Sequence, residues 1–169
     1  MAELPELLQP LEGFLGTWRG EGAGAVPGGV APDFPYAEEL TLTWEGGGPW
    51  IAYASRTSDL DSGRKMHAES GWWRPKPPDD EGRIAVEVVL VHATGVVEVL
   101  VGGLVEGPSG VHLELASDVV ARTPTAPEVS ADRRMYAIRG GKLMYAIDMA
   151  TGEAGLVPHL AAALDRIAT

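Results

Sequence analysis

The sequence predicts an all-β protein, an antiparallel β-barrel of about nine or ten strands with a short helix near each terminus. Two observations predict this class. Apolar and polar residues alternate in many short runs through the middle of the chain, and clusters of Gly, Pro and Asp separate those runs. A closed barrel is favoured over an open sheet because closure removes unpaired strand edges. A chain of 169 residues with 45% hydrophobic content suits one domain spanning residues 1–169.

The predicted strands place apolar side chains at every second position, so that one face of each strand is directed inward. The clearest inward series are Leu40, Leu42 and Trp44; Ile84, Val86, Val88 and Leu90; and Leu143, Tyr145, Ile147 and Met149. Turn-forming segments such as "DLDSGR", "VEGPSG" and "IRGGK" lie between such runs. The pattern therefore predicts consecutive hairpins.

The two ends of the chain carry the helix-like patterns. Near the N-terminus, Trp18 follows the first pattern and is flanked by glycines, so we expect its indole to lie across the closed end of the barrel. At the C-terminus, "GLVPHLAAALDRI" has leucines at four-residue spacing and Pro158 at a position suited to the first helical turn. This segment predicts a short helix that packs against the barrel.

Composition and motifs exclude several classes of function. The net charge of −11 disfavours nucleic acid and anionic membranes as partners. The absence of cysteine excludes disulfides, thiolate metal sites and cysteine nucleophiles. The Gly-rich run "GEGAGAVPGG" lacks the lysine and helix of a phosphate-binding loop, and no nucleophile-elbow motif is present. The acidic, proline-containing N-terminus does not resemble a signal peptide, which favours a cytoplasmic protein.

The four histidines are the candidate ligand residues, and a zinc site would require three of them to converge. His112 alternates with Glu114 away from the apolar face, so we expect it to point to solvent. His92 continues an inward series and would need a polar partner in the interior. His67 follows Met66, and both can line one cavity only if Met66 lies in a loop or at a bulge. For each, ordinary packing is the competing interpretation.

Several segments resemble the nitrobindin family in the same order along nearly the whole chain. A G-x-W-x-G-x-G signature occurs in "LGTWRGEG", and the family's C-terminal histidine segment is matched by "VPHLAAAL". The intervening matches are "GRKMHAESGWWRP", "LVHATGVVEVLVG", "ARTPTAPEV" and "YAIDMATGEAGLVPHL". The resemblance implies a ten-stranded antiparallel barrel similar to lipocalins and fatty-acid-binding proteins, with short helices at its ends.

The resemblance also implies a binding site for one haem b per chain. His159 would be the proximal iron ligand, and its predicted position at a helix N-terminus would favour the neutral imidazole. Family pocket positions correspond to Met66, His67, His92 and Met149 on the open side of the haem. This chain departs from the family at "AVPGGVAP", where Gly28 or Gly29 replaces a threonine that lies near the haem. We therefore expect altered haem retention.

The implied function is a ferric haem protein that binds nitric oxide and isomerises peroxynitrite to nitrate. That reaction consumes no net electrons, so it requires no reductase or nicotinamide site. The alternative is a non-catalytic barrel that carries haem or another apolar ligand. Small molecules are thus the expected ligands, and family similarity makes a homodimer plausible.

Overall fold

The computed structural model describes residues 3–27, 33–108 and 110–167. A 3₁₀ helix and ten antiparallel strands account for most of this chain. The helix spans Glu6–Phe14, and the strands are β1 Gly16–Gly24, β2 Phe34–Thr43, β3 Ile51–Asp59, β4 Lys65–Pro75, β5 Ala85–His92, β6 Val96–Gly107, β7 Gly110–Arg122, β8 Val129–Arg139, β9 Lys142–Thr151 and β10 Val157–Arg166.

The strands form one closed barrel in which neighbours along the chain pair with each other and β10 pairs with β1. Closure satisfies the backbone hydrogen bonds of both terminal strands, so no long edge is left among them. The ten-stranded antiparallel barrel predicted from the sequence is therefore confirmed. In the part of the chain described here, no helix reaches the length and apolarity that crossing a bilayer requires.

The N-terminal 3₁₀ helix packs at one end of the barrel. Leu8, Leu11 and Phe14 are buried and join the core formed by the inward-facing residues of the strands. Trp18 is fully buried beside them, and its indole N–H donates to the carbonyl oxygen of Phe14 at 2.9 Å. The guanidinium of Arg166 lies 4.4 Å from the centre of the Trp18 ring. Burial of Trp18 at the closed end agrees with the prediction.

The predicted C-terminal helix is wrong, because residues 157–166 form β10. Spacing of four residues, as between Leu160 and Leu164, fits a helix but also fits a strand, and the buried Ala162 between them reveals the period of two. Tertiary pairing overrides the helical propensity of the Leu/Ala-rich segment, since both β9 and β1 gain a partner. Pro158 accordingly lies near the start of a strand, where a missing N–H is tolerated.

Candidate ligand site

An interior cavity with a volume of about 320 Å³ lies at the end of the barrel opposite the 3₁₀ helix. Its position follows from the strand ends that border it: Met66 near the start of β4, Met149 near the end of β9 and His159 near the start of β10. Apolar side chains such as Phe34 and Ile147 line it together with several buried polar groups. The cavity therefore suits a mainly apolar ligand that also needs a few polar contacts.

The structure places all five of the predicted site residues on the wall of this one cavity. They are Met66, His67, His92, Met149 and His159. The strand pairing slips between Thr57 opposite His67 and Ser58 opposite Lys65, which leaves Met66 unpaired at a bulge. This bulge is what allows two consecutive residues, Met66 and His67, to line the same space, as the sequence required.

His159 also lies at a bulge, where the register of β10 against β9 shifts between Pro158 and Leu160. Its Nδ1 is 2.6 Å from the carbonyl oxygen of Ala25, just after β1, and the Ala25 N–H donates to the His159 carbonyl. A carbonyl can only accept, so Nδ1 carries the proton and, in the neutral ring, Nε2 keeps a free lone pair.

Burial lowers the pKa of His159, although the hydrogen bond to Ala25 opposes this. The direction agrees with the neutral imidazole expected from the sequence, but the physical reason is different. No helix dipole acts here, because the segment is a strand; removal from water disfavours the charged ring instead.

His92 and His67 form the second polar group of the cavity. His67 Nε2 and His92 Nδ1 are 3.1 Å apart, and His92 Nε2 lies 2.8 Å from the carboxylate of Glu98. His92 is buried, as its place in the inward series of β5 predicted, and its need for a polar partner is met. The Glu98 pKa is lowered because hydrogen bonding from His92 and the charge of Arg134 outweigh its burial. Since an ionised carboxylate only accepts, His92 Nε2 carries a proton.

A buried ion cluster lies next to these histidines. The guanidinium of Arg134 contacts Glu69 at 2.7 Å, Glu98 at 2.8 Å and Asp132 at 3.0 Å, and all four side chains are almost fully buried. The positive charge of Arg134 holds the pKa of Glu69 well below its usual value in spite of burial. Burial dominates at Asp132 and raises its pKa to about 6.

A second cluster of polar side chains surrounds Glu38 on β2. Its two carboxylate oxygens accept hydrogen bonds from Ser55 at 2.6 Å and Tyr145 at 2.5 Å, and Tyr145 also contacts the hydroxyl of Tyr36 at 2.6 Å. Burial raises the pKa of Glu38 to about 6, although both hydrogen bonds favour the charged form.

These interior polar residues are not among those predicted from the sequence, although the sequence carries a signal for them. Glu38 lies between the buried Tyr36 and Leu40, and Glu98 lies between Val96 and Leu100 in the same alternating pattern. A charged residue in an inward series is the pattern that would have identified both. The same parity places Glu69, Asp132 and Arg134 inward on β4 and β8.

Two other predictions have different outcomes. His112 lies on the outer face of β7, as its alternation with Leu113 predicted. Its side chain is only 13% exposed, however, and its Nε2 contacts Glu114 at 2.9 Å, so the prediction that it points to solvent is only partly correct. Gly28 and Gly29, which replace the expected threonine, lie outside the described residues.

The donor set of the cavity fits a haem group. His159 offers a neutral nitrogen that the Ala25 carbonyl holds in one tautomer, as histidine ligands to metals require. Met66, Met149 and Ile147 contribute an apolar wall that adapts to a large flat ligand. The wall around His159 can therefore accept an apolar macrocycle and bind its metal.

Comparisons with known proteins agree with this geometry. Residues 7–166 match the family model described as "THAP4-like, heme-binding beta-barrel domain". A "Peroxynitrite isomerase" from Salinispora tropica is 39% identical over 96% of this chain and 83% of its own length. "Peroxynitrite isomerase 2" from Mycobacterium avium is 37% identical over 94% of each chain.

A solved structure shows the same fold. The crystal structure of Rv2717c from M. tuberculosis superposes with a TM-score of 0.85 at 34% sequence identity, covering 98% of this chain and all of that one. The similarity includes the full barrel and is not confined to a local motif.

Proposed function

Since this chain belongs to the THAP4-like, heme-binding β-barrel family, we propose that it is a haem b protein that isomerises peroxynitrite to nitrate. The proposal includes nitric oxide as a second ligand, one haem b per chain and the whole chain acting as a single haem-binding domain. Support for the reaction comes from relatives named peroxynitrite isomerase, which align over nearly the entire chain. Support for the cofactor comes from the family model and from the donor set of the cavity.

The observation that carries the proposal is the hydrogen bond between His159 Nδ1 and the Ala25 carbonyl. It fixes the ring and leaves Nε2 as the donor to a haem iron. The backbone bulge at His159 turns the side chain toward the cavity, and burial keeps the ring neutral near neutral pH. In this proposal, His159 is the proximal ligand.

The other four predicted residues would line the open side of the bound group. Met66 and Met149 would supply apolar contact, and His67 and His92 would supply polar groups next to a small bound ligand. A bound haem iron would supply an open coordination position for peroxynitrite, whose rearrangement to nitrate consumes no net electrons. The role of the chain is then to hold the cofactor, keep one face open and limit the access of water.

Haem binding and peroxynitrite decay test this proposal together. The wild-type protein, produced with adequate haem supply, is expected to show a Soret band and to accelerate peroxynitrite decay in stopped flow. In His159→Ala, the Soret band is expected to be lost or shifted. Peroxynitrite should then decay at the uncatalysed rate in the presence of this variant. Its strand-rich circular dichroism should remain, since the substitution costs about 1–2 kcal/mol. His112→Ala is the matched control, because His112 lies on the outer face, and it should behave like wild type.

The alternative function is a non-catalytic carrier. A wild-type Soret band without accelerated decay would favour a haem carrier, and no Soret band after haem loading would favour a carrier of another apolar ligand. If His159→Ala keeps both the wild-type spectrum and the wild-type rate, the assignment of His159 as the iron ligand is wrong.

A further inference from the structure

Three potential metal ligands converge on one wall of the cavity, separate from His159. They are His67 Nε2, Glu69 Oε2 and His92 Nδ1. The two histidine nitrogens are 3.1 Å apart, His92 Nδ1 lies 3.2 Å from Glu69 Oε2, and His67 Nε2 lies 3.6 Å from the same oxygen. The three atoms therefore form a nearly equilateral triangle in the protein interior.

The size of this triangle matches one face of a tetrahedral metal site. Zinc binds imidazole nitrogen and carboxylate oxygen at about 2.0–2.1 Å, which places neighbouring tetrahedral ligand atoms about 3.3 Å apart. The observed separations of 3.1–3.6 Å bracket that value. An ion at the centre would need little rearrangement of the side chains.

Neighbouring groups orient these ligands. The Nε2–H of His92 donates to Glu98, which turns Nδ1 toward the triangle, as carboxylates beside zinc-bound histidines do. On Glu69, Oε1 accepts from Tyr53 at 2.6 Å and from Arg134 at 2.7 Å. Apart from the two histidine nitrogens of the triangle, Oε2 contacts Arg134 at 3.2 Å, so it retains a lone pair for a cation.

The charge around the triangle also favours a cation. The carboxylates of Glu69, Glu98 and Asp132 are buried around the single guanidinium of Arg134, so acidic groups outnumber the basic one. Within the described residues, Glu98 Oε1 and Asp132 Oδ2 are buried and have no hydrogen-bond partner. A divalent ion at the triangle would offset this surplus of buried negative charge.

We propose that His67, Glu69 and His92 form a site for a divalent transition metal of the zinc type, with two imidazoles and one carboxylate as ligands. The cavity borders all three side chains, so a fourth position is open to water or to a small ligand that enters the cavity. This second site borders the same cavity as the proposed haem, and its three ligand atoms are distinct from the His159 Nε2 proposed to bind the haem iron.

Titration of the full-length protein with Zn²⁺ or Co²⁺ tests the proposal after treatment with a chelator. We expect one zinc per chain by calorimetry and, with Co²⁺, the intense visible bands of tetrahedral coordination. His67→Ala removes the most accessible ligand and should weaken Zn²⁺ binding at least about 100-fold. His112→Ala, on the outer face of β7, should bind Zn²⁺ like wild type. Circular dichroism of each variant confirms that it is folded.

Three outcomes would overturn the proposal. They are no stoichiometric Zn²⁺ or Co²⁺ binding by the wild-type protein, unchanged binding in a folded His67→Ala variant, and loss of binding in a folded His112→Ala variant. Crystals of the wild-type protein grown with zinc give a test that needs no variant. An anomalous-scattering peak within the triangle supports the site, and a peak found only elsewhere contradicts it. Peroxynitrite decay is not a readout here, so failure of this site leaves the proposed function unaffected.

Discussion

Alternation of side chains along each strand decides which residues of this barrel face inward. Two of the site residues face the cavity because a bulge interrupts that alternation. His92 faces inward because regular alternation carries it there from Leu90. Met66 and His159 instead sit at bulges, where one extra residue turns the side chain out of the regular pattern. The chemistry of the cavity therefore depends on backbone irregularities as much as on residue type.

Gly71 on β4 illustrates how little space some positions leave. A Cβ atom at this position would lie 1.7 Å from the backbone oxygen of Val89, and backbone cannot move aside as a flexible side chain can. We expect Gly71→Ala to lower the free energy of unfolding by about 3 kcal/mol or to prevent folding. Gly155→Ala is the control, since nothing lies within 4 Å of its added methyl group, and it should change stability by less than about 0.5 kcal/mol. Denaturant unfolding measures both, and equal stabilities would contradict the expectation.

Among the elements, the last strand, β10, is essential to the closed barrel although its sequence predicts a helix. β10 pairs with β9 on one side and with β1 on the other, so it closes the barrel and carries His159. Its partner β1 is rich in glycine, and Gly20 and Gly24 lie close against Leu164 and Leu160. The two strands fit closely because small residues of one oppose larger residues of the other.

Hydrogen exchange tests the assignment of β10. Because this strand is hydrogen-bonded on both sides, we expect the amides of residues 161–164 to exchange as slowly as those of the other strands. Residues 152–156, which connect β9 to β10, should exchange much faster and serve as the internal reference. Exchange at 161–164 as fast as in that connection would show that the barrel is not closed by this strand.

The ion cluster around Arg134 joins β4, β6 and β8 through the interior. Replacing Arg134 with Met leaves the buried carboxylates without their cation, and we expect a loss of about 3–5 kcal/mol at neutral pH. The loss should be smaller at acid pH, since protonation then removes the unpaired charges. Arg74→Met is the control, because Arg74 pairs with Glu87 on the surface with a half-exposed side chain, and it should cost less than about 1 kcal/mol. Similar losses in both variants would argue against a structural role for the cluster.

The whole molecule is a barrel with two different ends. The 3₁₀ helix and Trp18 fill one end with apolar contacts, and the other end holds the cavity with its polar wall. The net charge of −11 and the raised pKa values of Glu38 and Asp132 make global stability depend on pH. Protonation therefore links the site to the stability of the fold.

The raised pKa of Glu38 determines whether its contribution to stability rises or falls with pH. Its pKa is about 6 in the folded protein against 4.5 in the unfolded chain, so the folded state binds more protons between these values. The Glu38 contribution to the free energy of unfolding must then fall as pH rises through this window, by about 2 kcal/mol in total. In Glu38→Gln this contribution is absent, so the stability of the variant relative to wild type should increase from pH 4.5 to pH 7. Urea unfolding at equal haem content measures the difference, and a constant difference would contradict the assigned shift.

Much of the fold was predictable because one face of each strand is buried. The series from Ile84 to Leu90 and from Leu143 to Met149 show the period of two that a half-buried strand requires. The structure buries their members from Val86 to Leu90 and from Leu143 to Ile147, and it leaves Met149 half-buried on the cavity wall. The C-terminal helix was wrong because Leu160 and Leu164 satisfy both periods and the Ala-rich sequence favours a helix when isolated. Pairing of this segment with β1 and β9, which closes the barrel, outweighs its local helix propensity.

The sequence by itself determined the alternating pattern of the strands and the inward position of His92. Through resemblance it also identified the five candidate residues that the structure brings to one cavity. Tertiary structure decided what those residues contact. Strand register sets Glu69 beside both histidines and Ala25 beside His159, and register depends on pairings between segments far apart in the chain. Side-chain alternation follows from the geometry of a single strand, whereas bulges, closure and the protonation of buried groups follow from the assembled barrel.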